Sequence, residues 1–308
     1  MIEYGSGTDV PLLFLTGLSH LNLQSVRYLS YRHKMRILLR IHQYLNEELS
    51  KPYNMKTKLL VCMLLFLLII NKGYAQNKEL EIPAQLKGKK ELILKRKNYT
   101  LSFNKETNMP NWVAWRLDKK KLVERVSRKG YNFRPDPDLK PKEAVVTQDY
   151  ANSGYDRGHM CPAGDSRWSG EAMKESFYMT NICPQHPNLN SGDWHELEQA
   201  CRRWAAEGPI YIVCGPILYK SAEPKYIGKE HRVRVPEAFF KVILAGVEKG
   251  KPKAVGFIYK NTAGNRTLDA YVNSIDQVER ITGYDFFPAL PDKVENAVEK
   301  VYNIKDWR

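Results

Sequence analysis

Three nearly unbroken apolar runs constrain this chain more than any other feature: PIYIVCGPIL around Tyr211–Cys214, FFKVILAG over Phe239–Ala245 and AVGFIY over Ala254–Tyr259. A strand that is apolar on both faces has to be covered on both sides. Helices must supply the cover. NSGDWHELEQACRRWAAEG sets Trp194, Leu197, Cys201 and Trp204 at helical spacing, with Ser191 as a cap at its start and Gly208 at its end. Ile275–Thr282 and Lys293–Val301 read as two later helices separated by YDFFPALP. Upstream, Leu101–Phe103 and Asn111–Leu117 read as strands joined by the turn-forming NKETNMP, with a polar, proline-bearing loop at residues 128–141. The sum is a mixed α+β domain with a covered central sheet.

A length of 308 residues with 43% hydrophobic and 27% charged side chains excludes a disordered or fibrous chain. One segment stands apart from the fold. MKTKLLVCMLLFLLIINKGYAQ has Lys56 and Lys58, an uncharged run from Leu59 to Ile70, and a small-x-small ending at Gly73 and Ala75. This is the layout of a secretory signal peptide cut after Ala75, and the run is too short for a membrane span. Residues 1–54 are then an over-extended or disposable N-terminus, residues 55–75 the signal peptide, and residues 76–308 the working domain. The expectation that follows is a secreted or periplasmic protein with no stable membrane insertion. Export would let Cys161, Cys183, Cys201 and Cys214 form disulfides, in any of three pairings, or remain as buried thiols. No C-x-x-C pair is present, so a structural zinc site has no supporting pattern.

Lys and Arg number 48 against 34 Asp and Glu, an excess that serves solubility or attraction to a polyanion. Histidine is sparse: beyond residue 75 there are His159, His186, His195 and His231. Two of them, His159 and His195, fall in the polar blocks DRGHM (156–160), TNICPQ (180–185) and NSGDWHELEQACR (190–202), and His186 lies between the last two. Phosphodiester hydrolysis needs a base to deprotonate water, a cation to stabilise the charged transition state, and help for the leaving alkoxide. His159 suits the base, since imidazole with an ordinary pKa of about 6.5 is largely neutral at working pH. Arg157 supplies positive charge, and Gly158 lets the backbone crowd a substrate or bend.

An amide oxygen such as that of Asn190 can hold a hard cation against a phosphate. Glu198, eight residues on, falls about 80° around a continuous helix and so faces the same cleft. Arg202, one turn further, can hold the Glu198 carboxylate through an i,i+4 contact. Spacing alone favours the other reading, a solvated surface pair.

DRGHM, TNICPQ with LNSGDWHELE, YIVCGPIL, VPEAFFKVIL and the SIDQVERITGYDFFPALP tail resemble, in this order across residues 90–303, the DNA/RNA non-specific endonucleases. These are the ββα-metal (His-Me finger) nucleases, a family with secreted bacterial and mitochondrial members. The resemblance implies a central, mainly antiparallel sheet flanked by helices, with the histidine on a strand. It places the general base on His159, the metal-binding asparagine on Asn190, and the carboxylate that orders water about the metal on Glu198. Asn181, Gln185 and Arg202 fall on substrate-positioning or supporting positions. An upstream arginine that stabilises the transition state has Arg128 and Arg134, beside Tyr131, as candidates in the loop. The resemblance also implies Mg2+ as cofactor, with Mn2+ able to substitute, DNA and RNA as substrates, and room for a homodimer. Asp156 and Asp165 orient the loop by hydrogen bonds, while Met160 and Pro162 serve packing and turning.

No sequence-reading module is visible, so cleavage without sequence preference follows. Three rival readings remain: a phosphodiesterase for smaller substrates, a nucleic-acid-binding protein of weak turnover on the same scaffold, and a zinc hydrolase.

Overall fold

Alternation of buried side chains along four long strands builds two cores from one sheet. The structure, a computed structural model, describes residues 79–86, 91–219 and 223–307. The strands are β1 (Leu92–Lys95), β2 (Thr100–Asn104), β3 (Met109–Leu117), β4 (Asp156–His159), β5 (Ile182–Gln185), β6 (Ile210–Ile217), β7 (Tyr226–Ile227), β8 (Val233–Arg234), β9 (Ala238–Ala245), β10 (Lys253–Lys260) and β11 (Val272–Asn273). Seven form one antiparallel sheet in the order β1-β2-β3-β6-β9-β10-β11. The pairs β4-β5 and β7-β8 stand apart. The helices are α1 (Gly170–Ser176), α2 (Pro187–Ser191), α3 (Asp193–Glu207), α4 (Ile275–Thr282) and α5 (Asp292–Lys300).

Trp115, Ile212, Ile243 and Val255 stand opposite one another across β3, β6, β9 and β10 and enter one core. Their chain neighbours Ala114, Val213 and Val242 enter the other. Trp194 and Leu197 of α3, with Met160 and Cys183 beside β4 and β5, cover the first face. Ile275 and Val278 of α4 and Val298 of α5 cover the second, with Phe286 and Phe287 between them. Each fully buried Ile, Leu or Phe stabilises by roughly 1.5–3 kcal/mol, so the two-sided cover expected from the apolar runs is the main cohesive term.

The antiparallel sheet flanked by helices is the α+β architecture expected. Local details differ. Ser191 does not cap α3: its Oγ donates to Pro187 O at 2.8 Å, within α2. The chain breaks at Gly192, whose φ of −104° and ψ of −110° end one helix and start the next. A Cβ at this residue would lie 2.5 Å from Asn188 O, so only glycine fits the break. Asn190 and Glu198 therefore sit on two helices, and the 80° argument does not apply across them.

The four cysteines at 161, 183, 201 and 214 are free and buried. Among the described residues no helix is long and apolar enough to cross a membrane. The expected N-terminal extension and the signal-peptide segment lie outside the described residues.

Candidate active site

β4 runs antiparallel to β5, with Asp156 opposite Gln185 and His159 opposite Ile182. Gly158 allows this pairing: a Cβ there would lie 2.3 Å from Gln185 Oε1. The close approach that the glycine permits is thus to the chain's own Gln185, rather than to a substrate. Gln185 is fully buried and its Oε1 and Nε2 have no hydrogen-bond partner among the described residues. Asn181 is also fully buried. Its Oδ1 accepts from Cys161 N at 2.9 Å, and its Nδ2 donates to Cys161 O at 2.8 Å and Ser176 O at 2.9 Å. Asn181 braces the turn after His159, and the Gln185 side chain packs against Gly158 of β4. Neither lines the cleft.

Arg128, Arg157, His159, Asn190, Glu198 and Arg202 converge on one cleft of about 450 Å³. Asp156 joins them through Asn190, whose Nδ2 donates to Asp156 Oδ2 at 2.9 Å. With the amide nitrogen so engaged, Oδ1 is the end left for another ligand.

His159 is boxed by aromatic rings, with centroids 5.1 Å from Phe133 and 5.1 Å from Phe177, the latter edge-on. Desolvation there, with the positive charge of Arg128, pulls the imidazole pKa down to about 3 and keeps it neutral. Trp194 Nε1 donates to His159 O at 3.3 Å and ties the end of β4 to α3. His159 Nε2 is buried without a hydrogen-bond partner among the described residues.

Glu198 is not a solvated surface group. Its side chain is 12% exposed. Burial raises its pKa to about 7, against the pull of Lys241 and Arg202. Nor does Arg202 hold it as spacing suggested. Arg202 Nη1 donates to Asp165 Oδ1 at 2.8 Å, and Trp115 Nε1 donates to Asp165 Oδ2 at 3.1 Å. Asp165 is 1% exposed against 12% for the Glu198 side chain, and the more deeply buried carboxylate costs more without a cation, so the arginine goes to Asp165.

Of the two upstream arginines, Arg128 and Arg134, only the first lies at the cleft. It lines the cleft with its Cζ 5.5 Å from the Phe177 centroid, whereas the Nε of Arg134 donates to Asn132 O away from it. Arg157 lies with Cζ 4.8 Å from the Phe133 centroid. Lys241 is the residue that sequence reasoning passed over. Fully buried in β9, its Nζ lies 4.2 Å from the Trp194 centroid and 5.6 Å from that of Trp115, without a hydrogen bond among the described residues. Burial lowers its pKa, but Cys214, Cys201, Glu198 and Asp165 outweigh that and leave it raised. A lysine inside the otherwise apolar FFKVILAG was the available signal.

The donor set fits a hard divalent cation: an oriented amide oxygen on Asn190 and a carboxylate on Glu198, with the unpartnered His159 imidazole in the same cleft. No thiolate reaches the cleft.

A sequence model of the DNA/RNA non-specific endonucleases matches residues 77–293. The chain belongs to this family. It is a family of metal-dependent enzymes. The chain is similar to the mitochondrial nuclease EXOG of Mus musculus, at 35% identity over 207 residues, 63% of this chain and 56% of that one. A nuclease of Nostoc sp. is 32% identical over 220 residues, covering 67% of this chain and 77% of the other. Among solved structures, the EndoG/EndoGI complex, described as showing the mechanism of EndoG inhibition, aligns with a TM-score of 0.64 and 26% identity over 71% of this chain and 93% of that one. This endonuclease-family chain thus spans little more than half the length of its mouse relative.

The relatives correct one expectation. Those from mouse, zebrafish, human and fission yeast are mitochondrial nucleases, so the secreted or periplasmic reading is withdrawn.

Proposed function

We propose that this chain is a metal-dependent, sequence-nonspecific endonuclease that hydrolyses phosphodiester bonds in DNA and RNA. The convergence of His159, Asn190, Glu198 and four arginines, Arg128, Arg157, Arg167 and Arg202, on one cleft carries the reading. His159, kept neutral by its aromatic box, accepts the proton of the attacking water. Asn190 would hold Mg2+, or Mn2+ in its place, through the oxygen that Asp156 leaves free, and Glu198 orders water beside it. When bound, the ion neutralises charge on the phosphate and the departing oxygen. Arg128 and Arg157 face the same phosphate and steady the transition state. Phosphate contacts of this kind carry no base information. Asn181 and Gln185 shape the β4-β5 platform, and Arg202 with Asp165 anchors α3 below Glu198.

Digestion of a plasmid and of an RNA by the protein, with EDTA and with Mg2+, Mn2+ or Ca2+ added back, tests this directly. Cleavage of both polymers that EDTA stops and Mg2+ restores is the expected result, with a rate that falls as salt rises. Activity confined to bis-p-nitrophenyl phosphate would overturn it in favour of a small-substrate phosphodiesterase. His159→Ala should lower the rate by roughly 10²–10⁴-fold while leaving nucleic-acid binding intact.

A further inference from the structure

On the sheet face opposite the cleft, α4, the connection after it and α5 bring five carboxylates together. Asp276, Glu279 and Glu299 each offer an oxygen within 4.8 Å of the others, and Asp285, Glu295 and Glu299 do the same. Glu299 is common to both groups. Although 93% buried by area, with an exposure of 7%, its Oε1 has no hydrogen-bond partner among the described residues, and neither has Glu295 Oε1. A buried carboxylate normally finds a cation or a set of donors. Here the only hydrogen bond from the described residues to the five side chains is from Phe286 N to Glu279 Oε1 at 2.8 Å. Burial, followed by repulsion from Glu279, Glu295, Asp276 and Asp285, pushes Glu299 up to about 8. Burial and neighbouring acids likewise lift Glu279 to about 7.

The scaffold is rigid where it needs to be. Ser274 and Gln277 close a capping box at the start of α4, and Gly283 ends the helix in the left-handed region at φ 76°. Val298 of α5, Phe286 and Phe287 pack into the second core and leave the acidic side of α5 turned to α4.

We propose that these five residues form a second divalent-cation site, of the Ca2+ class, that ties α5 to α4 and is separate from the cleft. Oxygen-only donors from two helices and a loop suit Ca2+, which takes six to eight oxygens in flexible geometry, better than the strict octahedron of Mg2+. Asp276, Glu279 and Asp285 lie within the family match, which ends at residue 293, and Glu295 and Glu299 of α5 lie beyond it. The role of the site is stability, since an ion that binds only the folded state raises the melting point.

Thermal melting of the full chain at pH 7.5 with EDTA, CaCl2 or MgCl2 tests the proposal. Ca2+ should raise Tm by several degrees and Mg2+ by less. Asn190→Ala should keep the Ca2+ shift, whereas Glu299→Gln and the milder Glu295→Gln should reduce or abolish it while Mg2+-dependent cleavage continues. A wild-type Tm indifferent to Ca2+, or a shift that survives both glutamine variants, overturns the site. Should Glu299→Gln fail to fold, Glu295→Gln and calorimetric titration of wild type with Ca2+ decide the question. Loss of nuclease activity in the wild type would leave this result untouched, because the readout is melting.

Discussion

Asn190 Nδ2 donates to Asp156 Oδ2 at 2.9 Å, so the strand that carries His159 also sets which end of the Asn190 amide looks into the cleft. The proposed base, His159, and the proposed metal ligand, Asn190, are thereby registered to each other through two residues of β4. A supporting carboxylate of this kind typically changes metal affinity or activity by about 10–100-fold when removed. Asp156→Ala should therefore raise the Mg2+ concentration at half-maximal cleavage by about that factor, and Asp156→Asn, which keeps an acceptor oxygen, should recover part of it. A metal titration of plasmid cleavage reads the effect; unchanged curves would remove Asp156 from the site.

Gly158 and Gln185 form a second coupled pair, because a Cβ on residue 158 would strike Gln185 Oε1 at 2.3 Å. Gly158→Ala should destabilise by about 1–3 kcal/mol, as overpacking does in a filled core. Gln185→Ala in the same chain should relieve much of that loss. Urea unfolding of the two single variants and the double variant measures the coupling, and strict additivity would mean the clash is relaxed elsewhere.

Arg202 and Asp165 should behave as a buried pair. Arg202→Ala leaves a carboxylate of 1% exposure without its cation, a change that costs about 3–5 kcal/mol in comparable sites. Asp165→Asn with Arg202→Ala should be more stable than Arg202→Ala alone. Chemical denaturation of the three variants checks the order.

Stability should also depend on pH through the acidic cluster. Glu299 and Glu279 titrate near 8 and near 7 in the folded chain, above the ordinary carboxylate value of 4.5, so the folded state binds their protons more tightly than the unfolded one. Their contribution is full below about pH 4.5 and fades as pH rises through 7 and 8. In EDTA, Tm should fall from pH 5 to pH 8.5, and Glu299→Gln should flatten part of the slope. The difference between the two proteins isolates this cluster from Glu198, which titrates in the same direction.

Elements whose determinants are local were legible from residue order. Ile275–Thr282 forms a helix over those residues because Ser274, Gln277 and Gly283 supply both caps within one short segment. The apolar runs became β6, β9 and β10 because two-sided burial is written into each strand. DRGH and the residues around Asn190 named the cleft, since motif spacing survives without coordinates.

What spacing could not supply was the choice among distant partners. Arg202 had Glu198 one turn away, yet pairs with Asp165, thirty-seven positions back, because the deeper carboxylate has the larger desolvation penalty. Asn190 reaches the cleft across a break at Gly192 that helical periodicity does not reveal. Arg128 rather than Arg134 faces His159, and five acids from two helices and a loop meet around Glu299. Local order specifies segments and motif identity through short-range sterics, capping and hydrophobic pattern. Desolvation and charge pairing act between groups that meet only once the chain has folded, and they settle which side chains work together.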